Sequence, residues 1–162
     1  MPKLYKIEKL KEKDLDEFLL IFKNNVLQQF KEYSKSNKKF FIENDYNKEN
    51  VSNCLKQEKL IFLVLKINKK IVGFLIGTPP YGGVSSIIWI SINEEFQKRG
   101  MGSILLKEYE KYIKKKKAHK IILGVTDKDN FNFYQKNGYK IYGELENSSF
   151  NLHTYYFYKN IM

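Results

Sequence analysis

Trp89-Ile90-Ser91-Ile92-Asn93-Glu94-Glu95-Phe96-Gln97-Lys98-Arg99-Gly100-Met101-Gly102 is the stretch on which the reading of this chain turns. Ile88, Ile90 and Ile92 recur at period two and give one apolar strand face, with Trp89, Ser91 and Asn93 on the other. After Gly102 a helical period takes over. Leu105, Tyr109 and Tyr112 fall at i, i+4 and i+7, Leu106 and Ile113 widen the stripe, and Lys114 to Lys117 close the helix where its dipole favours cations. The two-glycine segment between strand and helix is therefore a loop at a helix N-terminus.

That placement carries chemistry. The first four backbone N–H groups of a helix have no internal partners and bear partial positive charge, so a phosphate set there meets several donors together. At Gly100 and Gly102 a side chain would hold a pyrophosphate off the backbone and would resist positive φ. Lys98 and Arg99 add formal charge beside the loop. Arg99 is the single arginine of the chain, and its planar fork suits phosphate better than an ammonium does.

Gln97-x-x-Gly100-x-Gly102, behind an apolar strand and the pair Glu95-Phe96, resembles the acetyl-CoA pyrophosphate loop of the GNAT family of N-acetyltransferases. Downstream, Phe133-Tyr134-Gln135-Lys136-Asn137-Gly138-Tyr139 is similar to that family's second signature, an aromatic-Tyr pair on a short helix with a Gly-aromatic step into the next strand. A strand from Ile121 to Val125 lies between the two. Glu94 stands where the family often has Pro, and Asp127 where it often has Asn; Asn130, one helical turn further on, is the alternative to Asp127.

The resemblance implies an α/β fold: a three-layer α/β/α domain over residues 1–162, with a mixed, mostly antiparallel sheet of six to seven strands splayed between the fourth and fifth, and about four helices. It further implies that acetyl-CoA enters the splay, its pantetheine arm pairing with backbone near Ile90 and Ile92, its pyrophosphate held at Gln97, Lys98, Arg99, Gly100, Met101, Gly102 and Ser103, with Asn130 nearby. The reaction implied is direct attack of a primary amine on the thioester in a ternary complex. Tyr134 is the expected acid for the departing sulfur, help worth about 10²- to 10⁴-fold, and the N–H near Ile92 the oxyanion donor. For the base the residues leave alternatives open: Ile87 to Ile92 hold no acid, and Glu43, Asp45, His153 or a water chain remain. That gap also keeps a non-catalytic CoA-binding module in play.

The totals agree with one domain. A chain of 162 residues, 43% apolar and 15% aromatic, can bury a single continuous core. No apolar run reaches about 18 residues and Cys54 is the only cysteine, so the expectation is a soluble, cytoplasmic protein without membrane or metal partners, with a homodimer compatible. A net charge of +11 would suit a polyanionic ligand, yet the lysines are scattered, as an AT-rich coding sequence scatters them, which argues against nucleic acid.

Outward from the centre, Leu4 to Leu10 is a first strand, and Asp14 with Glu17 reads as a capping box for a helix from Leu15 to Lys31. Glu32 to Tyr46 reads as irregular, the part that lines the acceptor pocket in the family, followed by a helix from Lys48 to Gln57. Leu60 to Ile67 and Ile71 to Gly77 form a hairpin, Thr78 to Gly83 a connection, and Tyr139 to Tyr142 and Thr154 to Ile161 the last strands.

Overall fold

The computed structural model describes residues 4–162. Seven strands, Tyr5–Lys9 (β1), Ile61–Ile67 (β2), Lys70–Gly77 (β3), Val84–Ile92 (β4), Lys120–Val125 (β5), Lys140–Leu145 (β6) and Thr154–Asn160 (β7), make one sheet in the order β1-β2-β3-β4-β5-β7-β6. Only β4 and β5 run parallel. Leu15–Gln29 (α1) and Lys48–Gln57 (α3) cover one face, and Met101–Lys115 (α4) and Phe131–Lys136 (α5) the other. The fold is the expected three-layer α/β/α arrangement with its sheet splayed between β4 and β5.

Strands β2 and β3 are nearly continuous runs of apolar residues because helices cover both their faces. Phe62, Val64, Phe74 and Ile76 meet Phe18, Phe22 and Val26 of α1, while Leu63, Leu65 and Leu75 meet Leu105, Leu106 and Tyr109 of α4. Asn68 and Lys69, both at positive φ, turn one strand into the next as a two-residue hairpin requires. At Gly77 the α4 face comes so close that an added Cβ would lie 2.0 Å from the Tyr109 hydroxyl.

Two expectations are corrected. Asp14 precedes α1 but its side chain caps nothing; its carboxylate takes the Lys66 ammonium at 2.7 Å, and Glu17 accepts from the Ile71 N–H instead. The nearly buried Lys66 makes the stronger demand, because an unpaired ammonium there would cost more than an uncapped turn. The stretch from Glu32 to Tyr46 is not irregular throughout. Ser34 accepts from the Asn37 N–H and caps a short helix, Lys35–Phe40 (α2), which runs on as a π-helical turn, Phe41–Asp45. The turn places Phe41 in the core beneath Trp89.

A third correction bears on the site. Gly77 pairs with Ile87 but Ile76 pairs with Trp89, so Ile88 is an extra residue in β4, a bulge. Beyond it Ile90 and Ile92 lie on the α4 side, as does Ile87 before it, whereas Ile88 is 43% exposed. The apolar face is therefore Ile87, Ile90 and Ile92. Pairing with β5 ends at the same place, with Ile87 opposite Leu123.

The Glu8 carboxyl shares Lys66 with Asp14 and is drawn down to about 2 by hydrogen bonds from Lys6 and Lys66. Its ordinary value is 4.5. This contribution to stability is whole above that ordinary value and lost as pH falls through the folded one. Urea midpoints should decline between the two, and Glu8→Gln should flatten the decline; an identical profile in the variant would disprove it.

Candidate active site

The parted half of β4 presents its backbone to the gap. Asn93 donates to the Val72 carbonyl on β3 at 2.8 Å, so by alternation the N–H and C=O groups of Ile92 and Ile90 face the other way. The Ile92 carbonyl takes two side-chain amides, Gln97 and Gln29, each at 2.9 Å. Gln29 in turn accepts from Ser91, and Asn25 donates to Ser91 and Asn93. These bonds fasten α1 to the end of β4. With its side chain turned back to the strand, Gln97 leaves only backbone for a ligand at the loop.

The loop itself stands open. A 3₁₀ turn, Glu94–Phe96, leads to Lys98 at φ +60° and Gly100 at φ +77°, after which α4 begins. Such left-handed residues before a helix turn successive N–H groups toward one point and make an anion-binding concavity. A Cβ built at Gly100 would meet nothing within 4 Å, whereas Gly102, expected at positive φ, is instead helical, and a Cβ there would lie 3.1 Å from the Phe133 ring. Ser103 accepts from Asn137 at 3.0 Å, which couples the first turn of α4 to the end of α5.

On α5, Tyr134 is nine-tenths buried beside Phe133, Phe157 and Tyr139, with ring centroids 5.0, 5.7 and 6.0 Å away. Its hydroxyl has no protein partner among the described residues, yet it is not sealed off, because it borders the cleft. Burial pushes the phenol well above its ordinary value, so it holds its proton.

A cleft of about 310 Å³ runs through the gap. Of the residues singled out in the sequence, it brings together Ile90, Ile92, Gln97, Lys98, Gly100, Met101, Gly102, Ser103, Asn130 and Tyr134. Arg99 is not on its wall; the guanidinium lies over the Phe96 ring at 5.6 Å. The far wall comes from the end of α1 and the residues after it: Gln29, Phe30, Glu32 and Tyr33. The Glu32 carboxyl is raised first by burial and next by the carboxyl of Asp127, which it faces. Sequence reasoning missed Glu32 and Gln29, since nothing in their local pattern shows which strands they reach. Glu43 and Asp45 lie exposed on the π-helical turn, away from the cleft. His153 is engaged with Glu144 at 2.8 Å and stacked on Tyr155.

The profile of the acetyltransferase (GNAT) family matches residues 15–139. The chain belongs to the GNAT acetyltransferase family. An uncharacterised N-acetyltransferase of Methanocaldococcus jannaschii is 26% identical over 146 residues, 85% of this chain and 62% of that protein, so the chain spans less than two thirds of its relative. Among solved structures, the PaiA N-acetyltransferase of Thermoplasma acidophilum in complex with coenzyme A superposes with a TM-score of 0.81 at 23% identity, covering 96% of this chain and 98% of that one. An aminoglycoside 6'-N-acetyltransferase complexed with coenzyme A gives 0.74 at 19% identity, with 97% of each chain covered. GNAT enzymes use acetyl-CoA, and the open loop at Gly100 together with the free β4 edge fits that group. Among the described residues no His, Cys, Asp and Glu cluster could hold a metal, and no helix is long and apolar enough to cross a membrane.

Replacing Gln29 by Leu removes an amide that bonds both β4 and Ser91, and should lower stability by about 1–3 kcal/mol. A urea midpoint equal to wild type would show that the α1 to β4 network contributes nothing.

Proposed function

We propose that this GNAT protein transfers an acetyl group from acetyl-CoA to a primary amine by direct attack within a ternary complex. The observation that carries the reading is Tyr134, a protonated, nine-tenths buried phenol with no protein partner, on the wall of a cleft whose other end is an open anion-binding loop. When bound, acetyl-CoA supplies an acyl group at a thioester carbonyl. Backbone N–H groups of Gly100, Met101 and Gly102 would bind its pyrophosphate, with Lys98 at the rim and Arg99 contributing longer-range attraction.

The N–H groups of Ile90 and Ile92 would orient its arm as an added strand, and they are fixed by the sheet beforehand, so little ordering is required of them. The Ile92 N–H is aimed to receive developing negative charge on oxygen. Tyr134 would give its proton to the leaving sulfur, and Asn130 lies on the same wall. A cytoplasmic setting and action as one domain belong to the same reading, in keeping with a single cysteine, Cys54, that can form no disulfide within the chain. A CoA-binding module without turnover is the second reading, favoured by the absence of any acid from the open edge of β4.

Acetyl-CoA at a hundred times its Kd should raise unfolding free energy by about 2.7 kcal/mol. No thermal shift at millimolar cofactor would reject both readings, whereas a shift without free-thiol release over an amine panel would select the module. Tyr134→Phe should lower kcat by about 10²- to 10⁴-fold with cofactor affinity kept; full turnover would remove Tyr134 from the chemistry. Gly100→Val, strained at φ +77°, should weaken acetyl-CoA binding, read by calorimetry, while folding is retained.

A further inference from the structure

The two faces of the gap are chemically unlike. Tyr134 packs with the core on the α4 and α5 side, whereas Glu32 follows α1 on the opposite side and borders the same cleft. Asp127, just past β5, sets its carboxyl against that of Glu32. Its own turn holds it there, Oδ1 accepting from the Asp129 N–H at 2.9 Å. Among the described residues neither carboxylate forms an ion pair; Lys38 on α2 reaches Glu32 only as a longer-range attraction. In a chain with 29 Lys and Arg against 18 Asp and Glu, two carboxylates face each other without a lysine between them. Like charges so placed repel, and a cation inserted between them removes the repulsion.

A second feature points to a ligand independently. The Tyr134 side chain, nine-tenths buried and with no hydrogen-bond partner for its hydroxyl among the described residues, lines the same cleft from the other face. A third feature shapes the body of that ligand. Phe30 lies edge-on to Trp89 at 4.9 Å, and Tyr33 touches Phe41 at 5.0 Å and Phe150 at 5.8 Å, which makes an apolar wall beside Glu32.

We propose that Glu32 and Asp127 receive the cationic nitrogen of the acceptor, and that the acceptor is a monoamine with an apolar body lying against Phe30 and Tyr33. The proposal rests on the transferase reading and names its second substrate class. A polyamine or aminoglycoside would find one acidic pair here and a chain of net charge +11 around it. At the pair, R–NH₃⁺ gives one proton to a Glu32 oxygen; an N–H bond breaks as an O–H bond forms, leaving R–NH₂, and the proton passes on to solvent at the mouth. Asp127, Tyr33 and Lys38 are the titratable groups facing Glu32, and burial and Asp127 together let it keep a proton to higher pH than a free carboxyl.

The test is calorimetric titration of phenethylamine and of spermidine into the protein saturated with coenzyme A, for wild type and Glu32→Gln, followed by kcat/KM against pH. Glu32→Gln folds at least as well as wild type, since it relieves a like-charged pair, and its coenzyme A affinity stays unchanged. Phenethylamine should bind wild type at least as tightly as spermidine and lose about tenfold or more in the variant, in which the acid limb of kcat/KM also disappears. Phenethylamine affinity within twofold of wild type, an unmoved acid limb, or spermidine binding tenfold tighter than phenethylamine would each overturn the proposal. Failure of the transferase reading looks different: wild type would not bind coenzyme A, or would bind amine without releasing thiol.

Discussion

The constraint on which the structure depends is that β4 and β5 are paired for only part of their length. Backbone N–H and C=O groups of a sheet need partners, and a strand that loses its neighbour midway leaves groups that solvent or a ligand must satisfy. Here the separation begins at Ile87 and Leu123, beside the extra residue Ile88. The bulge lets Ile87 and Ile90 both face α4 and sharpens the local twist, so the strand can turn away from β5 without giving up its core contacts. The cleft residues are set around that opening: the loop at one end, Tyr134 on one face and Glu32 on the other.

The polar network at the end of β4 serves the same geometry. Asn25, Gln29, Ser91, Asn93 and Gln97 satisfy one another and the Ile92 carbonyl, so a strand end that has lost its neighbour is held from α1 and from the loop. A network of this kind, buried at Asn25 and Ser91 and more open at Gln29, Asn93 and Gln97, stiffens what it joins. The first half of the opening is thus firm before any ligand arrives, which lowers the ordering that binding would demand.

Periodicity made most of this architecture legible. The strand through Trp89, the stripe on α4 and the hairpin at Asn68 each depend on neighbours in sequence, and each of these elements lies where the pattern put it, although the alternation within the strand does not hold at Ile88. The bulge was not legible, because Ile87, Ile88, Ile90 and Ile92 are all apolar and period two fits them on either side of an inserted residue. The capping box failed for a related reason: Asp14 and Glu17 have the right spacing, but Lys66 and the Ile71 N–H, far away in the chain, compete for them. The loop glycines and Tyr134 could be named from local motifs. Glu32 and Gln29 could not, since what each meets, Asp127 just past β5 and the Ile92 carbonyl at the end of β4, is remote in sequence.

An exposed, half-paired strand edge is also a template on which another chain could add a strand. In this protein the Ile92 carbonyl is already taken by two glutamine amides, and the 3₁₀ turn that follows ends the extended backbone at once. A visiting strand therefore finds only a short ladder, closed at its far end. Restricting the length of that ladder admits a slender arm of a small molecule and discourages association between copies of the protein through the same edge.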